Sequence, residues 1–144
     1  MILEMNNDIT SAKNILINND YTCVLYLNGK EFHSKFRGVK PLLQFLESAD
    51  NFEGFFAADK VVGAGAAYLY VLLGVKSVWA GVISASAKKI LEQNGIDVLY
   101  ENLVENIINR AGNGICPIEA AVKDITEPRK ALLKIKETLK SLEK

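Results

Sequence analysis

The residues from 55 to 74 constrain the fold more than any other part of the chain. The stretch begins with Phe55-Phe-Ala-Ala, passes through Gly63-Ala-Gly65 and continues as an apolar run to Gly74. This pattern predicts a buried strand that leads through a glycine turn into a buried helix. The first amide groups of a helix are left unpaired and favour an anion. The sequence therefore predicts a polar crevice at the carboxyl end of this strand.

The rest of the chain predicts a hairpin followed by alternating strands and helices. Asp8 is a candidate N-cap for a first helix, and Asn28-Gly29 is the pair that a two-residue hairpin turn prefers. The predicted strands span residues 21–27, 30–36, 53–59, 77–83 and 96–100. A second helix is predicted to begin near Pro41, and two more span residues 64–73 and 87–93. A helical turn is predicted over 104–109. The last two predicted helices follow Cys116 and run from Glu127-Pro128 through Lys144. Alternation of this kind favours parallel strands, with the hairpin adding one antiparallel pairing. The predicted fold class is therefore α/β, a three-layer α/β/α domain with a mixed five-stranded sheet.

Composition limits the classes of function. A chain of 144 residues fits one domain, and its 17 basic side chains balance 17 acidic ones, so nucleic acid is an unlikely partner. Two cysteines without a secretory signal predict a cytoplasmic protein with free thiols. The longest apolar run, from 61 to 75, is shorter than the roughly 20 residues that span a bilayer, so no membrane segment is predicted.

Cys116 is the first candidate for a catalytic group. The sequence Cys116-Pro-Ile-Glu119 places sulfur at a helix N-cap and a carboxylate three residues later. A helix N-terminus stabilises a thiolate, so Cys116 is a candidate nucleophile or redox group. The same spacing suits a structural capping box in which cysteine replaces serine, and the charge of Glu119 would disfavour a thiolate. Both interpretations stay open.

Polar residues also follow strands three and four. Asp59 is the second candidate catalytic group, positioned to exchange a proton, and Lys60 beside it is a candidate ligand contact. An ion pair or a helix cap would explain the same two residues. Candidate ligand contacts at the strand ends are Gly63, Gly65, Ser84 and Ser86. Ser84 or Ser86 would alternatively serve only as the N-cap of the helix that follows strand four. Gly63-Ala-Gly65 is not a complete dinucleotide-binding motif, because Tyr68 stands where a small residue is required.

Four further residues, Cys23, His33, Asn109 and Arg110, carry groups that could take part in ligand or metal chemistry. Asn109 and Arg110 could hold an anionic group near Cys116, with a surface salt bridge as the alternative. Cys23 alternates with apolar residues and is predicted to fill the core. His33 is the only histidine, and the sequence has no Cys-x-x-Cys, so zinc is an unlikely cofactor and no other cofactor is indicated.

Three segments carry a resemblance to a known family: Ala58-Asp-Lys-Val-Val-Gly-Ala-Gly-Ala-Ala67, Asn109-Arg110, and Gly114-Ile-Cys-Pro-Ile-Glu119. With the order of the elements they resemble an uncharacterised cytidine-deaminase-like family, domain of unknown function 1893. The resemblance implies a crevice at the carboxyl ends of strands three and four. Zinc deaminases carry metal ligands at both positions, but this chain has Val62-Gly-Ala-Gly-Ala66 and Ile83-Ser-Ala-Ser-Ala87 there, so the zinc signature is missing.

Two kinds of function are therefore expected from the sequence. The first is a metal-free protein that binds a small anionic or nucleotide-like molecule in this crevice, with thiol or redox chemistry at Cys116. The second is a non-enzymatic ligand sensor or an oligomeric interaction module. The helix over 64–73 has a small-residue face suited to close packing, which would allow a homo-oligomer.

Overall fold

The computed structural model describes residues 2–109 and 111–143. These residues form an α/β domain around one mixed sheet. The strand order is β2-β1-β3-β4-β5. Strand β1 pairs antiparallel with both β2 and β3, whereas β3, β4 and β5 are parallel. The elements in chain order are α1 (Ile2–Asn18), β1 (Cys23–Leu27), β2 (Lys30–Ser34), α2 (Lys40–Glu47), β3 (Phe56–Val62), α3 (Ala64–Leu73), β4 (Ser77–Ser84), α4 (Ala85–Gln93), β5 (Asp97–Val104), α5 (Pro117–Ala121) and α6 (Pro128–Leu142).

The predicted fold class is confirmed, with several differences in the elements. The predicted hairpin is present, and Asn28 and Gly29 both have positive φ, 47° and 85°, as a type I′ turn requires. The sheet holds two antiparallel pairings rather than the one expected, because β1 lies between β2 and β3. Helix α1 begins at Ile2, so Asp8 lies within it and is not its N-cap.

The largest error in the predicted elements concerns the fifth strand. The sequence predicted a strand that ends at residue 100 and a helical turn over 104–109. In the structure β5 continues to Val104, and no helix follows over 105–109. Glu101 and Asn102 interrupt the apolar pattern because this strand lies at the sheet edge and is largely exposed. An exposed edge strand has no need of a continuous apolar sequence.

The core has two layers, one on each face of the sheet. Helix α1 covers the face that carries Val24, Phe56, Ala58 and Trp79. The opposite face carries the larger cluster, with α3 and α4 against the strands and α2 and α6 packed on α3. Helix α3 is covered within the chain, and Gly65 meets Ile118 and Ile135 there. Its small-residue face is thus used inside the molecule and is not free for the oligomer contact that the sequence suggested.

The regular alternation of side chains is interrupted in β3 and β4 at the same level. Ala57 and Val62 lie in the same core cluster although their positions differ by an odd number, which in a regular strand would put them on opposite faces, and the same holds for Ala80 and Ile83. A Cβ atom on Gly81 would lie 2.7 Å from the carbonyl oxygen of Lys60, so the strands approach closely at this point. Beyond it, Val62 and Ile83 point inward and bring the starts of α3 and α4 over the core.

None of the helices in the described residues is long and apolar enough to cross a membrane.

Candidate functional site

The carboxylate of Glu119 lies where the carboxyl ends of β3 and β4 meet the starts of α3 and α4. Its Oε1 atom accepts hydrogen bonds from the Ala64 amide at 3.0 Å, from Ser84 Oγ at 2.5 Å and from Ser86 Oγ at 3.3 Å. Its Oε2 atom accepts from the amide of Ile107. Glu119 is buried, so the chain's own carboxylate occupies the donor groups of the predicted anion site.

The local sequence explains why these donors converge. Ala64 is the first residue of α3 and follows Gly63, the N-cap, which has no side chain to satisfy the free amides. Ser84 is the N-cap of α4, and its hydroxyl accepts a hydrogen bond from the Ala87 amide while donating its own hydrogen to Glu119. A Cβ on Gly63 would lie 3.4 Å from Glu119 Oε1, so glycine leaves room for the carboxylate. The positive ends of two helix dipoles therefore face one negative charge.

The residues at these strand ends do not fit a zinc site. Zinc in proteins is held by histidine, cysteine and carboxylate ligands, and neither the start of α3 nor that of α4 supplies an imidazole or a thiolate. The single carboxylate, Glu119, already accepts four hydrogen bonds. Throughout residues 2–109 and 111–143, no three His, Cys, Asp or Glu side chains form a group that could hold a metal ion.

Cys116 lies at the N-cap of α5 and is partly exposed, but its side chain makes no capping hydrogen bond. The predicted capping box is wrong, because Glu119 reaches across to Ala64 and Ile107 instead of back to its own helix. Helix α5 has only five residues, too few to develop a strong dipole at the sulfur. The backbone of Cys116 does have a structural role, since its amide donates to the carbonyl of Ile107 at 2.8 Å.

Asp59 belongs to a separate buried cluster. It lies within β3 rather than at its end, and its Oδ2 accepts a hydrogen bond from Tyr70 of α3 at 2.7 Å. Cys23, its partner across the β1–β3 pairing, lies 3.3 Å from the same tyrosine oxygen. Burial raises the pKa of Asp59 to about 7, although hydrogen bonds from Tyr70 and the backbone act in the opposite direction. Burial also raises the pKa values of Cys23 and Tyr70.

The other predicted ligand residues are dispersed. Lys60 is exposed and pairs with Asp20 at 2.9 Å, and Gly65 packs against Ile118 in the core. Asn109 shapes its own loop, since its side chain bonds the backbone and side chain of Asn113. Arg110 lies outside the described residues.

Cys23 is buried as expected, but its contact with Tyr70 was not anticipated. His33 stacks on Tyr21 and bonds Glu31 at 2.7 Å.

Three of the predicted contacts, Gly63, Ser84 and Ser86, therefore meet at one point, together with Glu119, which the sequence named only as part of a helix cap. The position of Glu119 could have been predicted from its neighbours. Glu119 lies between Ile118 and Val122, which have the spacing of a buried helix face, and this predicts that its carboxylate faces inward. Two shallow surface depressions lie elsewhere, along α4 and β5, and neither includes a predicted site residue.

The chain is similar to solved structures to different degrees. A DUF1893 family protein (TM1506) from Thermotoga maritima has a similar structure, with a TM-score of 0.83 and 29% identity over 94% of this chain and 90% of that one. The dCMP deaminase of cyanophage S-TIM5, in its apo form, gives a TM-score of 0.46 and 15% identity over 67% of this chain and 95% of that one. No curated protein matches the chain.

The family model described as TM1506, domain of unknown function (DUF1893), matches residues 11–139 of this chain. The matched range includes Glu119 and all four groups that bond its carboxylate. The chain belongs to the DUF1893 family.

Proposed function

We propose that this chain is a non-catalytic binding module, in which the crevice at the carboxyl ends of β3 and β4 is closed by Glu119 and does not receive a substrate. The carrying observation is the set of four hydrogen bonds that the Glu119 carboxylate accepts. A ligand anion would need the same amide and hydroxyl donors. It would have to displace a buried carboxylate that is already well paired.

The surroundings of Glu119 support its role as a fixed anchor. It joins α5 to the starts of α3 and α4 and to the segment that follows β5. Releasing it would leave the buried Ala64 amide without its acceptor, which costs about 1–3 kcal/mol, and the partly buried Ile107 amide would lose its acceptor as well. Closure of the crevice by Glu119 thus stabilises the fold.

The test is a titration with inorganic phosphate and with a nucleoside monophosphate, followed by the amide NMR signals of Ala64, Ser86 and Ile107. We expect no saturable shift in the unmodified protein up to about 10 mM ligand, a limit that corresponds to a binding free energy weaker than about −3 kcal/mol. The control is Glu119→Ala, which frees the donors and should let phosphate perturb Ala64.

A saturable shift of the Ala64 and Ser86 signals in the unmodified protein would contradict the proposal. It would favour the small anionic or nucleotide-like ligand expected from the sequence, with Glu119 displaced on binding. Replacing Cys116 with serine then separates the remaining alternatives. Binding that survives Cys116→Ser without turnover indicates a ligand sensor, whereas turnover that the substitution abolishes indicates thiol chemistry.

A further inference from the structure

Basic and aromatic side chains form one surface where β2 ends and α2 begins. The members of this basic–aromatic surface are Tyr21, His33, Lys35, Phe36, Arg37 and Lys40. The three cations lie in the segment 32–46, which contains no acidic residue, and all three are exposed. Phe36 lies between two of them and is 51% exposed. The chain as a whole has equal numbers of acidic and basic side chains, so this concentration of positive charge is local.

Hydrogen bonds hold the segment that carries these cations against the start of β1. The amide of Thr22 donates to the carbonyl of Ser34 at 2.9 Å. The Thr22 hydroxyl lies 3.0 Å from the same carbonyl oxygen and 2.5 Å from that of Phe36. The amide of Phe36 in turn donates to Ser34 Oγ at 3.1 Å. Lys35 and Phe36 are therefore presented by a hydrogen-bonded segment.

Rings and cations lie side by side on this surface. Tyr21 and His33 stack with their ring centroids 4.0 Å apart and their planes 4° from parallel. Lys35 Nζ lies 5.9 Å from the centroid of the Tyr21 ring, and Lys40 Nζ lies 4.5 Å from that of Phe36. In single-strand recognition, bases stack on aromatic side chains while a positively charged groove follows the phosphates. A ring with a cation beside it can therefore hold both parts of a nucleotide.

Two acidic residues lie against this surface, and both are bonded to basic groups. Asp20 accepts a hydrogen bond from Lys60 at 2.9 Å, and this bond, together with the charges of Lys60 and Lys35, lowers the pKa of Asp20. Glu31 bonds His33 at 2.7 Å. Lys60 brings the cations at this surface to four, against two carboxylates. The surface therefore keeps a net positive charge.

We propose that the basic–aromatic surface binds single-stranded nucleic acid without sequence preference. Phe36 and the Tyr21–His33 pair stack on bases, and the cations contact the phosphates between them. An acidic peptide would use the charges but leave the rings without a partner. A membrane surface favours a broad apolar face, whereas the rings here are separated by cations. The equal totals of charge argued against nucleic acid for the chain as a whole, but the local charge and the rings together favour it here.

Fluorescence anisotropy of a fluorescein-labelled oligo(dT) of about ten nucleotides, titrated with the full chain up to about 200 µM, tests the proposal. We expect a dissociation constant on the order of 10–100 µM at about 50 mM salt. The affinity should fall with roughly the second power of the salt concentration, the dependence expected for about three phosphate contacts on a single strand.

Two variants separate the rings from the charges. Phe36→Ala should weaken binding about tenfold, because it removes a ring on which a base stacks. Its control is Leu133→Ala, since Leu133 is an exposed apolar residue on α6 and lies outside this surface. Lys40→Glu should also weaken binding about tenfold and reduce the salt dependence, whereas the same charge change at Lys89, which is exposed on α4, should have a much smaller effect. Amide NMR spectra establish that each variant is folded.

The absence of an anisotropy change up to about 200 µM protein would overturn the proposal. Binding that Phe36→Ala leaves unchanged would also overturn it, because only the charges would then be in use and an acidic peptide would fit the surface as well. If the oligonucleotide does not bind but the protein sediments with phosphatidylserine vesicles, the surface belongs to a membrane interface instead.

This inference goes beyond the closed crevice of the proposed function. The groups that bond Glu119 belong to Ala64, Ser84, Ser86 and Ile107, which are not part of the basic–aromatic surface. Oligonucleotide binding can therefore fail while the phosphate titration gives its expected result, and the reverse can also occur.

Discussion

Tyr70 donates its phenolic hydrogen to the carboxylate of Asp59 at 2.7 Å, deep between α3 and the sheet. Cys23 lies 3.3 Å from the same hydroxyl, so three ionisable groups share one buried position. Burial dominates the environment of Asp59 and raises its pKa to about 7. An acid whose pKa is higher in the folded state holds a proton that the unfolded chain has already released. The cluster therefore links folding stability to pH.

We predict that Asp59 lowers stability as the pH rises from about 4 to about 7. Below pH 4 the carboxyl is protonated in both the folded and the unfolded state, so its ionisation does not lower the free energy of unfolding. Above pH 7 it is ionised in both states, and the cost of the buried charge reaches about 4 kcal/mol. Urea unfolding of the unmodified protein and of Asp59→Asn, measured at intervals between pH 4 and 8, should give curves that diverge in this window, with the variant gaining relative stability.

Tyr70→Phe provides the matched variant for this effect. The hydrogen bond from Tyr70 lowers the pKa of Asp59, so its removal should move the pH window upward. Equal pH dependence in the unmodified protein and in Asp59→Asn between pH 4 and 7 would show that Asp59 is not the group responsible.

Removal of the Glu119 carboxylate should destabilise the domain. We predict that Glu119→Ala lowers the free energy of unfolding by about 3 kcal/mol, because the buried Ala64 amide and the partly buried Ile107 amide lose their acceptor. Urea unfolding at pH 7 measures the loss. Glu137→Ala is the control, since Glu137 is exposed on α6 and its ion pair with Lys134 is long, 3.7 Å. A loss for Glu119→Ala no larger than for this control would mean that the anchor contributes little to stability.

The sequence was informative where structure is local and less so where it is not. The hairpin followed from Asn28-Gly29, because that pair adopts positive φ with little strain. The cap of α4 at Ser84 and the start of α6 at Pro128 likewise follow from residues at the helix ends. The hydrogen-bond partners of the Glu119 carboxylate could not be predicted from neighbouring residues, since Ala64 lies 55 residues away in the sequence and Ser84 lies 35 residues away.

The position of Asp59 shows a second limit of sequence reasoning. The charge of Asp59-Lys60 suggested the end of a strand, but β3 continues to Val62. Lys60 points outward to Asp20, whereas Asp59 is tolerated inside because Tyr70 and the Val61 amide bond its carboxylate. A polar pair in an apolar run can therefore mark a buried hydrogen-bonded group as well as a strand end.

The close approach of β3 and β4 predicts a strong effect of a single methyl group. In Gly81→Ala the new Cβ would lie 2.7 Å from the carbonyl oxygen of Lys60, and a backbone atom cannot rotate away. We expect a loss of about 1–3 kcal/mol in urea unfolding. Gly114→Ala is the comparison, because the nearest atom there is the Asn109 side-chain nitrogen at 3.5 Å, an ordinary contact. Comparable losses at both glycines would contradict the close approach.

The contact between α3 and α5 can be tested by a pair of substitutions that compensate each other. In Gly65→Ala the new Cβ would lie 2.4 Å from Ile118 Cγ2, a branched group close to the backbone of α5, so we predict a loss of about 1–3 kcal/mol. Ile118→Ala removes that methyl group and should cost about 2–4 kcal/mol by leaving a cavity. The double variant should lose less than the two single losses added together, because the alanine methyl fills part of the cavity. Additive losses in urea unfolding would mean that Gly65 and Ile118 do not contact each other as described.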